Sequence, residues 1–176
     1  MITLRRTTAP SRDATAPAKP PYTAPIPEYD PGREAYLLLG PAWRSSTARL
    51  VETGHYFDVV RTPQQIAAPV LDHLRAHGER LGAVSAEDGC WSFFVPLCSG
   101  RLPWPYWVSY LSGPRAQIPP RAARGKGLRL QWITRGEPTG RFLTDPDVLC
   151  PTLIALAPPD PRSGPWLGPT SPEEIL

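Results

Sequence analysis

The chain has little cysteine: Cys90, Cys98 and Cys150, with no C-x-x-C pair. An odd count without paired spacing excludes a disulfide framework and offers no zinc-finger ligand set. Lysine is scarcer still, Lys19 and Lys126 being the only two among 19 basic residues. No segment approaches the ~20 apolar residues of a membrane span, and no apolar run of signal length follows Arg5-Arg6. A reduced, cytoplasmic setting without a membrane partner is therefore the expectation. His55, His73 and His77 are the only histidines. His73 and His77 stand four apart, a spacing compatible with a metal pair, but His73 falls toward the polar side of its helix and a solvated role is favoured. There is no P-loop, no G-x-S-x-G and no Ser/His/Asp order that would indicate nucleophilic catalysis.

Proline, by contrast, is abundant, with 25 in 176 residues. Pro10, Pro17, Pro20, Pro21, Pro25, Pro27 and Pro31 crowd the front, and Pro158, Pro159, Pro161, Pro165, Pro169 and Pro172 the back. Both ends are otherwise rich in Ala, Thr, Ser and Gly and poor in large apolar residues, so burial there cannot offset ordering entropy. Residues 1–33 and 158–176 are read as disordered tails around one domain, residues 34–157.

Within that domain, residues 53–78 organise the rest. Tyr56, Phe57, Val59 and Val60 form a short apolar run of a kind buried on both faces of a sheet. Thr62 and Pro63 suit the start of a helix. Ile66, Val70 and Leu74 then share a helical stripe with Ala67 and Leu71, as far as a stop at Gly78. Pro69 is expected to kink or split this helix.

Upstream, Tyr36–Leu39 is a strand or a helical turn. Ala48–Val51 is a strand candidate that Thr53-Gly54 would turn into the Asp58 strand. Downstream, apolar runs at 82–85 and 90–95 flank Asp88-Gly89, a strong hairpin signal, with Pro96 as a stop. A short helix is expected near Pro105 and a brief strand at Ala116–Ile118. Residues 128–133 alternate as a half-buried antiparallel strand. A final helix is capped by Thr144 or Asp145, with Val148, Leu149, Thr152, Leu153 and Leu156 on its apolar face. The order indicates an α+β domain with a mostly antiparallel sheet, two main helices and a hairpin.

Three features could carry chemistry. Asp58 is a lone carboxylate in an apolar strand, costly unless paired, exposed or holding a metal. It is the one candidate catalytic and metal-ligating residue, although a structural carboxylate capping a nearby turn at Thr62 is favoured about two to one over a Mg²⁺ ligand. From Arg115 to Arg141 seven bases face Glu137 alone, an excess of six that exceeds the +3 of the whole chain. Arg115, Arg121, Arg124, Lys126 and Arg129 are accordingly candidate nucleic-acid-binding residues, weighed equally against a solvated loop. Trp91, Phe93, Trp104, Trp107 and Trp132 could stack bases, but their spacing matches core faces. Trp104 is the one expected at the surface.

The order Gly54-x-x-Phe57-Asp58-Val59-Val60-x-x-Pro63, a helix, Gly82-Ala83-Val84, Trp91–Val95, Ala116–Pro120 and Leu130-Gln131-Trp132 resembles the bifunctional DNA primase/polymerase (prim-pol) N-terminal domain proteins of high-GC bacteria, within the archaeo-eukaryotic primase superfamily. The dominance of arginine over lysine and the Ala, Pro and Gly content agree with such a source. The resemblance covers residues 48–157. It implies a prim-pol-like fold, with Asp58 at the first position of a D-x-D metal strand. Val60 stands at the second acid position, no histidine lies near Trp91–Phe94 and no third acid lies near Leu128–Ile133. The resemblance therefore implies a catalytically degenerate domain that binds DNA or a replication- or plasmid-associated protein. Two alternatives stand beside it: an active Mg²⁺-dependent primase/polymerase using Asp58, and a regulatory protein-interaction domain with Pro-rich docking tails.

Overall fold

The computed structural model describes residues 31–125, 127–136 and 141–156. Most of both Pro-rich segments, and Lys126, lie outside the described residues. The described chain forms α1 (Pro31–Leu39), a 3-10 helix (Gly40–Arg44), β1 (Arg49–Glu52), β2 (Asp58–Pro63), α2 (Gln64–Ala76), β3 (Ala83–Glu87) and β4 (Cys90–Val95). A second 3-10 helix (Ser99–Arg101), β5 (Ser109–Leu111), β6 (Arg115–Ile118), β7 (Leu130–Arg135) and α3 (Pro146–Ala155) follow. The domain is α+β with antiparallel sheets, as its element order indicates. Its first helix begins at Pro31, ahead of the boundary expected at Glu34. Proline is well placed there, because the N–H it lacks has no partner in a first turn.

Five strands form one sheet in the order β5-β2-β4-β3-β7, every neighbour antiparallel. Strand alternation sends Val60, Val84, Ala86, Trp91, Phe93 and Val95 to one face. There they bury Ala67, Val70, Leu71 and Leu74 of α2 and Leu149 and Leu153 of α3. Val59, Ala83, Phe94 and Trp132 take the other face and meet Ala35 and Leu39 of α1, Trp43, Phe142, and Ala116 and Ile118 of β6. Phe94 anchors this second layer, its ring 5.4 Å from Phe57, 5.0 Å from Phe142 and 5.8 Å from Trp132. The sheet thus separates a helical layer from a layer built of α1 and a second, two-stranded sheet, β1 with β6.

The hairpin forms at Asp88-Gly89. Both residues have positive φ, 46° and 76°, the requirement of the two-residue turn whose twist matches the flanking strands. Pro69 leaves α2 continuous, since a single missing N–H costs only the bond to the carbonyl four residues back. Asp145 caps α3, its Oδ1 accepting from the Asp147 N–H at 3.0 Å.

Four local expectations are corrected. The Asp58 strand starts two residues late and runs through Thr62 and Pro63, which pair with Trp91 and Cys90. Thr62 therefore caps nothing, and its buried hydroxyl makes no hydrogen bond. β1 does not turn into β2. Thr53 diverts it, donating its hydroxyl to the Pro114 carbonyl at 2.7 Å and accepting the Gly113 N–H at 3.0 Å, so β1 stays with β6. No helix forms near Pro105. Pro103 and Pro105 remove two N–H donors and bar the preceding residues from helical backbone, and the segment becomes a turn leading into β5. Trp104 is half-buried rather than exposed, its Nε1–H donating to the Ser99 carbonyl at 2.9 Å and its ring stacked on Tyr110.

Candidate nucleic-acid interface

Asp58 opens β2 with its side chain on the α2 side of the sheet, in line with Val60, and is fully buried. Two donors hold its Oδ2: the Tyr110 hydroxyl from β5 and the Cys98 N–H at 3.1 Å. Cys98 has the left-handed φ of 65° that aims its N–H inward. Burial first, and then the bond to Asp58, push the Tyr110 hydroxyl up to about 12. That proton therefore stays on Tyr110, which acts as donor throughout the neutral range. Asp58 Oδ1 is buried and has no partner. Through these bonds the carboxylate ties the loop after β4 to the edge strand β5, accepting from Cys98 rather than capping a turn at Thr62. Val60, two residues along β2 on the same face, lies in the apolar core beneath α2. Among the described residues no group of three or more His, Cys, Asp and Glu is placed to hold a metal ion. His73 and His77 do come together, with ring centroids 4.0 Å apart.

The basic stretch is scattered by the fold. Arg115 begins β6 opposite Glu52, which it meets at 3.8 Å. Arg129 sits at the hairpin end of β7 and grips Asp88 with two bonds, Nε to Oδ1 and Nη2 to Oδ2, each 2.9 Å. That grip holds the Asp88 carboxyl below its ordinary range. Arg141 lines a separate cleft with Glu34, Arg80 and Asp145. Arg121 lies at the opposite end of β7 from Arg129, where its carbonyl accepts from Arg135 Nη1 at 3.4 Å.

What Arg121 joins was not apparent in the sequence. Its N–H donates to the Ser45 carbonyl at 3.4 Å, and the Ser45 hydroxyl accepts from Arg49 Nε at 3.0 Å. Arg44 precedes Ser45 and lies over the Tyr36 ring, 4.5 Å from its centroid, while Arg121 lies 5.4 Å from the Trp43 ring. Arg44, Arg49 and Arg121 are exposed, and none of the three makes an ion pair among the described residues. Beside them runs an open cleft of about 540 Å³ between α1 and β1, lined by Tyr36, Leu39, Pro41, Arg44, Arg49 and Leu50. Planar guanidinium groups resting on aromatic rings keep their N–H edges free for bidentate contact with a phosphate. The signal that could have found this patch is the acid-free run Arg44–Arg49 between Trp43 and Glu52, read together with the acid-free Arg121–Lys126 loop.

The patch and Asp58 lie on opposite faces of the five-stranded sheet, the patch with Trp43 and β1–β6, Asp58 with α2 and Tyr110. No helix of the described residues is long and apolar enough to cross a membrane. No family model matches the chain, and no match is found among curated proteins or among solved structures.

Proposed function

We propose that this domain binds single-stranded nucleic acid along the α1–β1 cleft, with Arg44, Arg49 and Arg121 on the phosphates and Tyr36 available to stack a base. The observation that carries the proposal is the gathering around Ser45 of three exposed arginines that make no ion pair among the described residues: Arg49 bonds the Ser45 hydroxyl, Arg121 the Ser45 carbonyl through its backbone N–H, Arg44 precedes Ser45, and Arg44 and Arg121 lie over aromatic rings. Of the expectations raised by the prim-pol resemblance, this agrees with the non-catalytic one, but of Arg115, Arg121, Arg124, Lys126 and Arg129 it keeps Arg121 alone and adds Arg44 and Arg49. The burial of Asp58 on the opposite face supports a binding rather than a polymerising role.

The test is a salt titration of binding to a fluorescent single-stranded DNA. Three phosphate contacts release about 0.7 counterion each, so log K should fall against log salt with a slope of about −2. A slope near zero with measurable binding would contradict phosphate recognition. So would binding that does not weaken when Arg44, Arg49 and Arg121 are replaced by alanine.

A further inference from the structure

On the sheet face away from α2, one row of side chains is polar where the neighbouring row is apolar. Arg61 of β2, Ser92 of β4 and Ser85 of β3 stand level across three adjacent strands. Glu87, two residues along β3 on the same face, pairs with Arg61, Nη1 to Oε2 at 3.3 Å. The adjacent row holds Val59, Phe94 and Ala83, all buried in the second core. Ser85 is only 2% exposed. A hydroxyl so deep on an inner strand adds nothing to packing that Ala or Val would not supply better. The two-stranded sheet roofs this row without filling the space. A cleft of about 180 Å³ remains, floored by Arg61, Ser85, Glu87 and Ser92, closed at one end by Phe94 and Leu111, and bordered above by Leu50, Arg115 and Gln117.

We propose that this cleft binds a small carboxylate that carries a hydrogen-bond donor next to its carboxyl group. Its space falls below the ~300 Å³ at which drug-sized sites begin, which selects a ligand of few heavy atoms. Arg61 and Arg115 both line the cleft, and each has N–H donors beyond its one contact, with Glu87 and with Glu52, that can meet a carboxylate. Glu87 and the two serine hydroxyls offer acceptors for a neighbouring hydroxyl or ammonium group. Arg61, Arg115 and Glu87 give the lining at most one surplus positive charge, and Glu52, 3.8 Å from Arg115 at the rim, offsets part of it, which suits a single carboxylate better than a dianionic phosphate. The proposal does not rest on nucleic-acid binding, because its polar groups are different ones; of the residues lining the two clefts only Leu50 is shared.

Backbone amide shifts of the full chain, titrated separately with glycolate, glycine, acetate and inorganic phosphate, test the assignment. Glycolate or glycine should shift the amides of Ser85, Ser92 and Gln117 saturably with Kd on the order of 1 mM, a reasonable yield for so few atoms. Saturation by glycolate marks a hydroxy acid, and saturation by glycine an amino acid. Acetate should bind at least tenfold more weakly, since it leaves Glu87 and the serines without a donor. Arg115→Ala, at an exposed rim position, should weaken binding about tenfold, one charge-assisted contact, without moving the unfolding midpoint. Shifts that do not saturate, equal binding of acetate, tighter binding of phosphate, or affinity unchanged in Arg115→Ala would each overturn the assignment.

Discussion

Asp58 shows what one residue in a sequence can and cannot reveal. Its oddity is plain in the sequence, a carboxylate among Phe57, Val59 and Val60. Its partners are not, because Tyr110 and Cys98 lie 52 and 40 residues away. Removing the acceptor strands two donors, the Cys98 N–H and the half-buried Tyr110 hydroxyl. Asp58→Ala should therefore destabilise the domain by about 3 kcal/mol and Tyr110→Phe by about 1.5 kcal/mol in denaturant unfolding. The double variant should cost less than the sum, the signature of direct coupling; strict additivity would contradict the pairing. The same contact has a pH signature. The unfolded chain releases the tyrosine proton near pH ~10, whereas the folded protein holds it to about 12. The stabilisation is thus complete below about pH 10 and is lost as pH rises through that window. Unfolding midpoints measured across it should fall, and more gently in Tyr110→Phe; identical profiles would exclude Tyr110 as the group responsible.

Elements set by local chemistry were legible. The Asp88-Gly89 hairpin, α2 and α3 each follow from a turn pair, an apolar stripe or a cap within a few residues. Elements decided by distant partners were not. β1 joins β6 because Thr53 reaches Pro114, and the Trp104–Trp107 segment has helical spacing that Pro103 before it and Pro105 within it prevent it from using. Packing between elements also sets one glycine. A Cβ on Gly82 would lie 2.5 Å from the backbone of Phe142, Leu143 and Thr144, where the Gly82 N–H donates to the Thr144 hydroxyl at 3.0 Å. Gly82→Ala must push this segment away from β3 and should cost about 2 kcal/mol. A thermal midpoint equal to that of the parent would show that the approach is not as close as described.

At the scale of the molecule, the five-stranded sheet decides which residues can act together. Its α2 face carries Asp58 and the helical core. Its other face carries the polar row, the two-stranded sheet and, beyond them, the arginines on Ser45. The charge excess between Arg115 and Arg141 was read correctly as a number, but a linear stretch is not a surface. The fold sends Arg115 to Glu52 and Arg129 to Asp88 and leaves Arg121 to meet Ser45, which follows Arg44 and bonds Arg49, from an earlier segment. The antiparallel pairing of β1 with β6, which sets Arg49 opposite Ile118, carries the chain before β1 past the chain after β6 and produces that meeting, and no sequence period encodes it.

The most direct measurement compares two variants of the full chain for binding of single-stranded DNA at one fixed, moderate salt concentration. One is Arg44→Ala/Arg49→Ala/Arg121→Ala, the other Arg115→Ala/Arg129→Ala. With each lost phosphate contact costing roughly 1 kcal/mol, the first should bind about a hundredfold more weakly than the parent, and the second, whose arginines are already held by Glu52 and Asp88, should change less than threefold. Equal losses in the two variants, or a greater loss in the second, would contradict the placement of the interface on the α1–β1 face.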